Sequence, residues 1–151
     1  TKAISDFGGL MKVMPVFSAI FLIVCLSSIG LPGLNGFIGE FLVLVGSYDS
    51  QNLNSNIYTI LSTTAVILSA VYLLWLYQRV MLGPIENERN REVKDISKLE
   101  LAYMLPILIF IIWIGIQPNT FLKVSENSVK KILVNYNNAK NFMANPEFDK
   151  K

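Results

Sequence analysis

The chain has no histidine and only one cysteine, Cys25, in 151 residues. These two shortages remove most metal and nucleophile chemistry. Zinc sites, haem, iron–sulfur clusters and Ser-His or Cys-His catalysis all need side chains that are missing. Cys25 lies in an apolar run and reads as a small buried hydrophobe. Charge is scarce as well: charged residues make up 16% of the chain against 52% hydrophobic ones. With a mean hydropathy of +0.46, this is the composition of a membrane protein. The net charge of +2 does not point to nucleic acid, because the cations stand in segments that flank apolar runs. No cofactor is expected in this chain.

The scarcity of charge gives weight to one residue. From Val13 to Val45 the only formal charge is Glu40, and from Ile57 to Leu76 there is none. A carboxylate at membrane depth costs about 2.5 kcal/mol or more at a helix centre. Such a residue is a functional-site hypothesis, and proton relay or ion passage is its usual task. Dry surroundings favour its protonated form, while N–H groups at the start of a half-helix favour the anion. A site balanced in this way loads and releases a proton when a neighbouring charge moves. The bland alternative is a carboxyl that hydrogen-bonds a partner helix and never titrates.

Three membrane crossings are expected, in an all-α membrane protein. The first runs over residues 14–48 and is broken. Met14 to Leu31 is apolar and nearly long enough to span a bilayer. Gly30, Pro32 and Gly33 stop it, since proline lacks an N–H and the glycines permit the bend. Asn35 is placed to cap a second half-helix, roughly Gly36 to Tyr48. Two separate short segments remain the alternative. The second crossing covers about residues 57–82. Its Thr59, Ser62, Ala65, Ser69 and Tyr72 form a stripe suited to close packing, or else to a wet proton path. The third covers about residues 99–116, with a kink expected at Pro106. Trp75, Tyr77 and Trp113 suit interfacial belts.

Residues 1–122 are read as the membrane part and 123–151 as a tail. In the tail, Val129, Ile132, Leu133 and Tyr136 fall on one helical face, with Lys130 and Lys131 opposite. This is an amphipathic helix suited to a membrane surface or a partner subunit. Asn137 to Lys151 reads as disordered. The chain begins at Thr1 without Met, which suggests a piece of a longer protein.

Loop charge sets the topology. Arg89, Arg91, Lys94 and Lys98 crowd the segment after the second crossing, whereas Asp49 to Asn56 has no cation. The positive-inside rule places Thr1 and Gly83–Lys98 in the cytoplasm and Asp49–Asn56 outside. Arg79 suits snorkelling to the interface, with a role in proton entry as the alternative. Ser27 and Ser28 either bond back to their own helix or hold water near the break. Ser47 is a further candidate for the proton path. Glu86 to Glu92 reads as a solvated mixed-sign loop, and Glu100 as a residue favoured by the start of its helix.

Several motifs carry a resemblance. Phe7-Gly8-Gly9-Leu10, Met14-Pro15, Gly30-Leu31-Pro32-Gly33, Gly39-Glu40-Phe41-Leu42, Gly46-Ser47-Tyr48 and Tyr77-Gln78-Arg79-Val80-Met81-Leu82-Gly83 are similar to the C-terminal part of the NADH-quinone oxidoreductase subunit M family. The family comprises antiporter-like, proton-pumping subunits of respiratory complex I. The resemblance covers roughly Thr1 to Leu122. It implies the last three core helices of such a subunit, with Glu40 at the mid-membrane position of a discontinuous helix serving the exit-side proton half-channel. Sister subunits usually carry lysine there, so glutamate favours subunit M. A cation/proton antiporter or membrane-bound hydrogenase subunit is the alternative. The implied setting is a multi-pass protein of the bacterial inner membrane. Its expected partners are other membrane subunits of complex I, the lipid bilayer and protons. The expected enzymatic role is that of a subunit, with no redox or catalytic centre in this chain.

Overall fold

A computed structural model describes residues 4–50 and 55–144. Among these, the regular elements are all helical. Five α-helices follow in order: α1 Pro15–Ser28, α2 Asn35–Tyr48, α3 Ser55–Met81, α4 Lys98–Ile116 and α5 Asn119–Ala144. The chain falls into two units, Thr1–Ile116 and Gln117–Lys151.

Two helices, Asn56–Met81 and Lys98–Ile116, are long and apolar enough to cross a membrane, and Pro15–Ser28 is a shorter apolar helix. Within α3, hydroxyls that would otherwise need partners bond to their own helix. Thr63 donates to the Thr59 carbonyl at 2.8 Å and Thr64 to that of Ile60 at 2.7 Å. The few buried side chains include Leu10, Ile20, Cys25, Tyr77, Met81 and Ile111. Long apolar side chains such as Val43, Ile60, Leu68 and Ile107 point outward instead. Apolar exposure on this scale marks a surface made for lipid or for other protein.

The half-buried face of α3 runs Thr59, Ser62, Val66, Ser69, Leu73, Leu76 and Tyr77. It departs from the expected stripe, because Ala65 and Tyr72 are exposed. Tyr77, 8% exposed, faces the bundle: it packs with Leu10 and Met81 against Phe17 and Phe21 of α1, and its hydroxyl pairs with that of Ser18 at 2.9 Å.

One end of the bundle is tied by polar contacts that are distant in sequence. The Gly9 N–H donates to the Leu82 carbonyl at 3.0 Å, and Asn90 Nδ2 donates to the Asp6 carbonyl at 2.9 Å. Gly9 has φ 65°, and a Cβ there would lie 2.8 Å from the Gly83 carbonyl oxygen. Asp95 accepts from the Val16 and Phe17 N–H groups of α1 at 2.8 and 3.1 Å. The N–H groups of a helix's first turn have no partner within the helix, so this carboxylate caps α1 from across the sequence. The segment expected to be a solvated loop keeps Glu86, Glu88, Arg89, Arg91 and Glu92 exposed and is anchored through Asn90, which is buried; Asp95 lies just beyond it. At the start of α4, Ser97 and Glu100 form a reciprocal capping box. The Ser97 N–H donates to Glu100 Oε2 at 2.8 Å and the Glu100 N–H to Ser97 Oγ at 3.3 Å. Helix α4 continues through Pro106.

The second unit is the helix α5. Its Val129, Ile132, Leu133 and Tyr136 are exposed, and Lys130 pairs with Glu126 at 2.6 Å. The helix extends past Asn137 to Ala144, where disorder was expected. Ala139 and Lys140 are good helix formers and keep the asparagine-rich segment in register. Residues 145–151 lie outside the described residues.

Candidate functional site

The sequence Ser27-Ser28-Ile29-Gly30-Leu31-Pro32 ends α1 by local chemistry alone. Gly30 takes φ 80°, the left-handed conformation that residues with a Cβ avoid. The Gly30 N–H donates to the Ser27 carbonyl at 3.2 Å and the Leu31 N–H to the Leu26 carbonyl at 3.0 Å. This paired closure is a Schellman motif with glycine at its left-handed position. Pro32 follows, where it cannot resume the helix. Gly33, at φ 94°, turns the chain again, and α2 begins at Asn35.

Asn35 does not cap α2 as expected. Leu34 occupies the capping position and provides no side-chain bond. The Asn35 side-chain oxygen instead accepts from the Ser27 hydroxyl. Ser27 is buried, so this bond satisfies it across the interruption and away from its own helix. Ser28 is exposed and turns away from this pair. Gly36 packs on the Ser27 carbonyl so closely that a Cβ would collide with it.

Glu40 reaches back from α2 across the interruption. Its carboxyl group lies over Gly30, where an added Cβ would overlap Oε2 and stand 2.8 Å from Cδ. Glu40 also lines an open, apolar cavity of about 260 Å³ with Gly39, Val43, Leu44, Ser62 and Val66. The last turn of α4 closes the arrangement. A Cβ on Gly115 would lie 2.5 Å from the Leu34 Cα and would strike the Gly33 carbonyl. The candidate site therefore brings together Ser27, Gly30, Gly33, Asn35 and Glu40. It adds Gly36 and Gly115 at the two closest backbone approaches. Gly115 was not singled out in the sequence, where a lone glycine in an apolar helix gives no sign of its partner.

Two other expected path residues lie elsewhere. Ser47 is near the end of α2, where its hydroxyl accepts from Thr59 at 3.3 Å. Arg79 is at the opposite end of α3, exposed, with its guanidinium 5.0 Å from the Trp75 ring centroid. Glu40 adjoins Ser62 and Val66, so Arg79 is about 20 Å or more away along α3 at 1.5 Å per residue. A cation on an aromatic face at a helix end fits the snorkelling reading. Among the described residues, no three His, Cys, Asp or Glu side chains cluster as a metal site would require.

Residues 1–69 match a protein family described as NADH:quinone oxidoreductase/Mrp antiporter, TM. Subunit M of NADH-quinone oxidoreductase from Rickettsia felis is 42% identical over 136 residues, covering 90% of this chain and 27% of that protein. The Rickettsia prowazekii subunit M is 41% identical over the same shares of each chain. NADH-ubiquinone oxidoreductase chain 4 of Marchantia polymorpha is 37% identical over 133 residues, covering 88% of this chain and 26% of that protein. Over about nine-tenths of its length the chain is similar to these proteins. It spans about a quarter of the length of these curated relatives. The family match covers α1, the interruption, α2 and the first half of α3, so it contains Glu40 and every candidate residue except Arg79 and Gly115.

Proposed function

We propose that this chain is the C-terminal part of a subunit M-like membrane protein that translocates protons, coupled to NADH:quinone oxidoreduction within respiratory complex I. One observation carries the reading. A lone acidic residue in an apolar helix lays its carboxyl over a helix interruption, and the same residue lines a cavity against α3. Irregular backbone at membrane depth is tolerated where protein or water covers it. Discontinuous helices place such backbone beside a transported charge.

In this reading α1 and α2 form a single discontinuous crossing. Each is 14 residues long, against 27 for α3. Ser18 of α1 pairs with Tyr77 near one end of α3, and Ser47 of α2 pairs with Thr59 near the other. Stacked end to end, the two short helices line one long one. With α3 and α4 this makes three crossings. The partners are other membrane subunits of the complex and the surrounding lipid, and the setting is the bacterial inner membrane. The work of this chain is to hold and pass a proton at Glu40, and its partners supply the redox chemistry. Glutamate, rather than lysine, at this position favours complex I over the cation/proton antiporter and hydrogenase readings.

The test is Glu40→Gln in the complete subunit within its assembled complex. Glutamine keeps the size and hydrogen-bonding reach but does not ionise. The complex is expected to assemble and to lose most proton pumping and coupled quinone reduction, whereas Glu40→Asp retains more. Wild-type pumping by the Gln variant would leave Glu40 a structural role only.

A further inference from the structure

Gly30 carries two independent constraints. The first is its φ of 80°, which ends α1. The second is steric. A Cβ at Gly30 would overlap Glu40 Oε2, approach Cδ to 2.8 Å and Oε1 to 3.4 Å. All three close contacts are with one side chain, and that side chain is the only formal charge between Val13 and Val45. Gly33 stands three residues on, at φ 94°, with no described residue beyond its chain neighbours within 4 Å of its would-be Cβ. Terminating the helix therefore requires a left-handed glycine, but it does not require the room found over Gly30.

We infer that Gly30 is a positioning residue for the proton carrier: its bare Cα is the seat on which the Glu40 carboxyl rests, and it fixes where the carboxyl presents its proton. The inference rests on the reading of Glu40 as a relay and goes beyond it. In this structure the carboxyl rests over Gly30. A methyl group at position 30 would take the space that it occupies. The carboxyl of aspartate, one methylene shorter, does not reach the seat and does not meet the methyl group. Displacing a reacting group by about 1 Å can cost on the order of 10²-fold in rate.

The experiment uses the complete subunit in its assembled complex. It compares Gly30→Ala, Gly33→Ala, Glu40→Asp, Glu40→Gln and the doubles Gly30→Ala/Glu40→Asp and Gly33→Ala/Glu40→Asp. Proton pumping in reconstituted vesicles and the amount of assembled complex are read for each. Gly33→Ala imposes left-handed strain without the steric contact, so it controls for the backbone. Gly30→Ala is expected to lose tenfold or more of pumping, or to assemble poorly. Adding Glu40→Asp should return Gly30→Ala to the pumping and assembly of Glu40→Asp alone, since aspartate neither uses the seat nor meets the methyl group, while Gly33→Ala/Glu40→Asp should carry both single losses. Equal recovery in both doubles, no recovery in either, or wild-type behaviour of Gly30→Ala would overturn the seat. Glu40→Gln separates the two ideas. Full pumping by that variant defeats the relay itself. Its loss, together with a failed rescue, defeats only the seat.

Discussion

Ser18 and Tyr77 share a hydrogen bond of 2.9 Å across the seam between α1 and α3, at a point where Ser18 has no exposed surface. Either hydroxyl can donate. The pair lies within an aromatic stack in which the Phe21 ring is 6.0 Å from those of both Phe17 and Tyr77. Tyr77→Phe keeps the ring and leaves a buried serine hydroxyl without this partner. Hydrogen bonds between membrane helices average about 0.6 kcal/mol in double-mutant cycles, and an unsatisfied buried group costs about 1–3 kcal/mol. Tyr77→Phe should therefore lower the thermal stability of the assembled complex more than Ser18→Ala does. The double variant should lose less than the sum of the singles. Strict additivity in melting temperature would mean that the bond contributes nothing.

Asp95 makes a second prediction, with a pH sign. Burial pushes its carboxyl up, but the N–H groups of Val16, Ile96 and Phe17 outweigh that and hold it below the ordinary aspartate value. A lowered value in the folded state means that the cap is fully present above the unfolded aspartate range, at about 3.9, and is lost only as the pH falls below that range. Asp95→Ala should loosen the start of α1 throughout the neutral range. Asp95→Asn should retain part of the cap, because it keeps one acceptor oxygen. Hydrogen exchange at Val16 and Phe17 measures this directly. Unchanged protection in Asp95→Ala at neutral pH would show that the loop does not cap the helix.

The parts of the fold legible in the sequence are those written locally. The two long apolar helices follow from their apolar runs, and the end of α1 follows from glycine and proline chemistry at Gly30–Pro32. The prominence of Glu40 required only its isolation among apolar residues. Contacts between distant segments were not legible. The Asp95 bonds to α1 close over 79 and 78 residues, and nothing around Asp95 distinguishes it from the neighbouring charges. The inward direction of Tyr77 was not legible either, because a tyrosine near a helix end satisfies the belt pattern equally well when it faces the bundle. Asn35 has the composition of a cap, yet a buried serine eight residues earlier claims its oxygen.

The proposed course of the chain has a direct chemical test. In a Cys25→Ser background, single cysteines replace Met11, Asp49 and Arg89, each of which is exposed. The Gly9–Leu82 and Asn90–Asp6 bonds tie the first and third of these regions together. If α1 and α2 make one crossing, an impermeant maleimide should label positions 11 and 89 from the same face of sealed vesicles and position 49 from the other. Labelling of 11 and 49 from one face would mean that the two short helices do not cross together.

Gly115 supplies the last prediction. Replacing a glycine by alanine inside a helix ordinarily stabilises by about 0.5–1 kcal/mol, because glycine loses more backbone freedom on folding. Gly46 should behave in that way, since no described residue beyond its own stretch of helix lies within 4 Å of its would-be Cβ. Gly115 should do the reverse. Its Cβ would meet the backbone of Gly33 and Leu34, and backbone cannot swing aside as the tip of a flexible side chain can. Overpacking of this kind costs about 1–3 kcal/mol, which exceeds the helix gain. Gly115→Ala should therefore destabilise the complex and push the interruption away from α4. Because Asn35, Gly36 and Glu40 follow directly from that backbone, pumping should fall along with stability. Gly46→Ala should leave both near wild type. Thermal inactivation and pumping of the two variants in the assembled complex measure this. A Gly115→Ala complex as stable and active as wild type would mean that α4 does not brace the interruption.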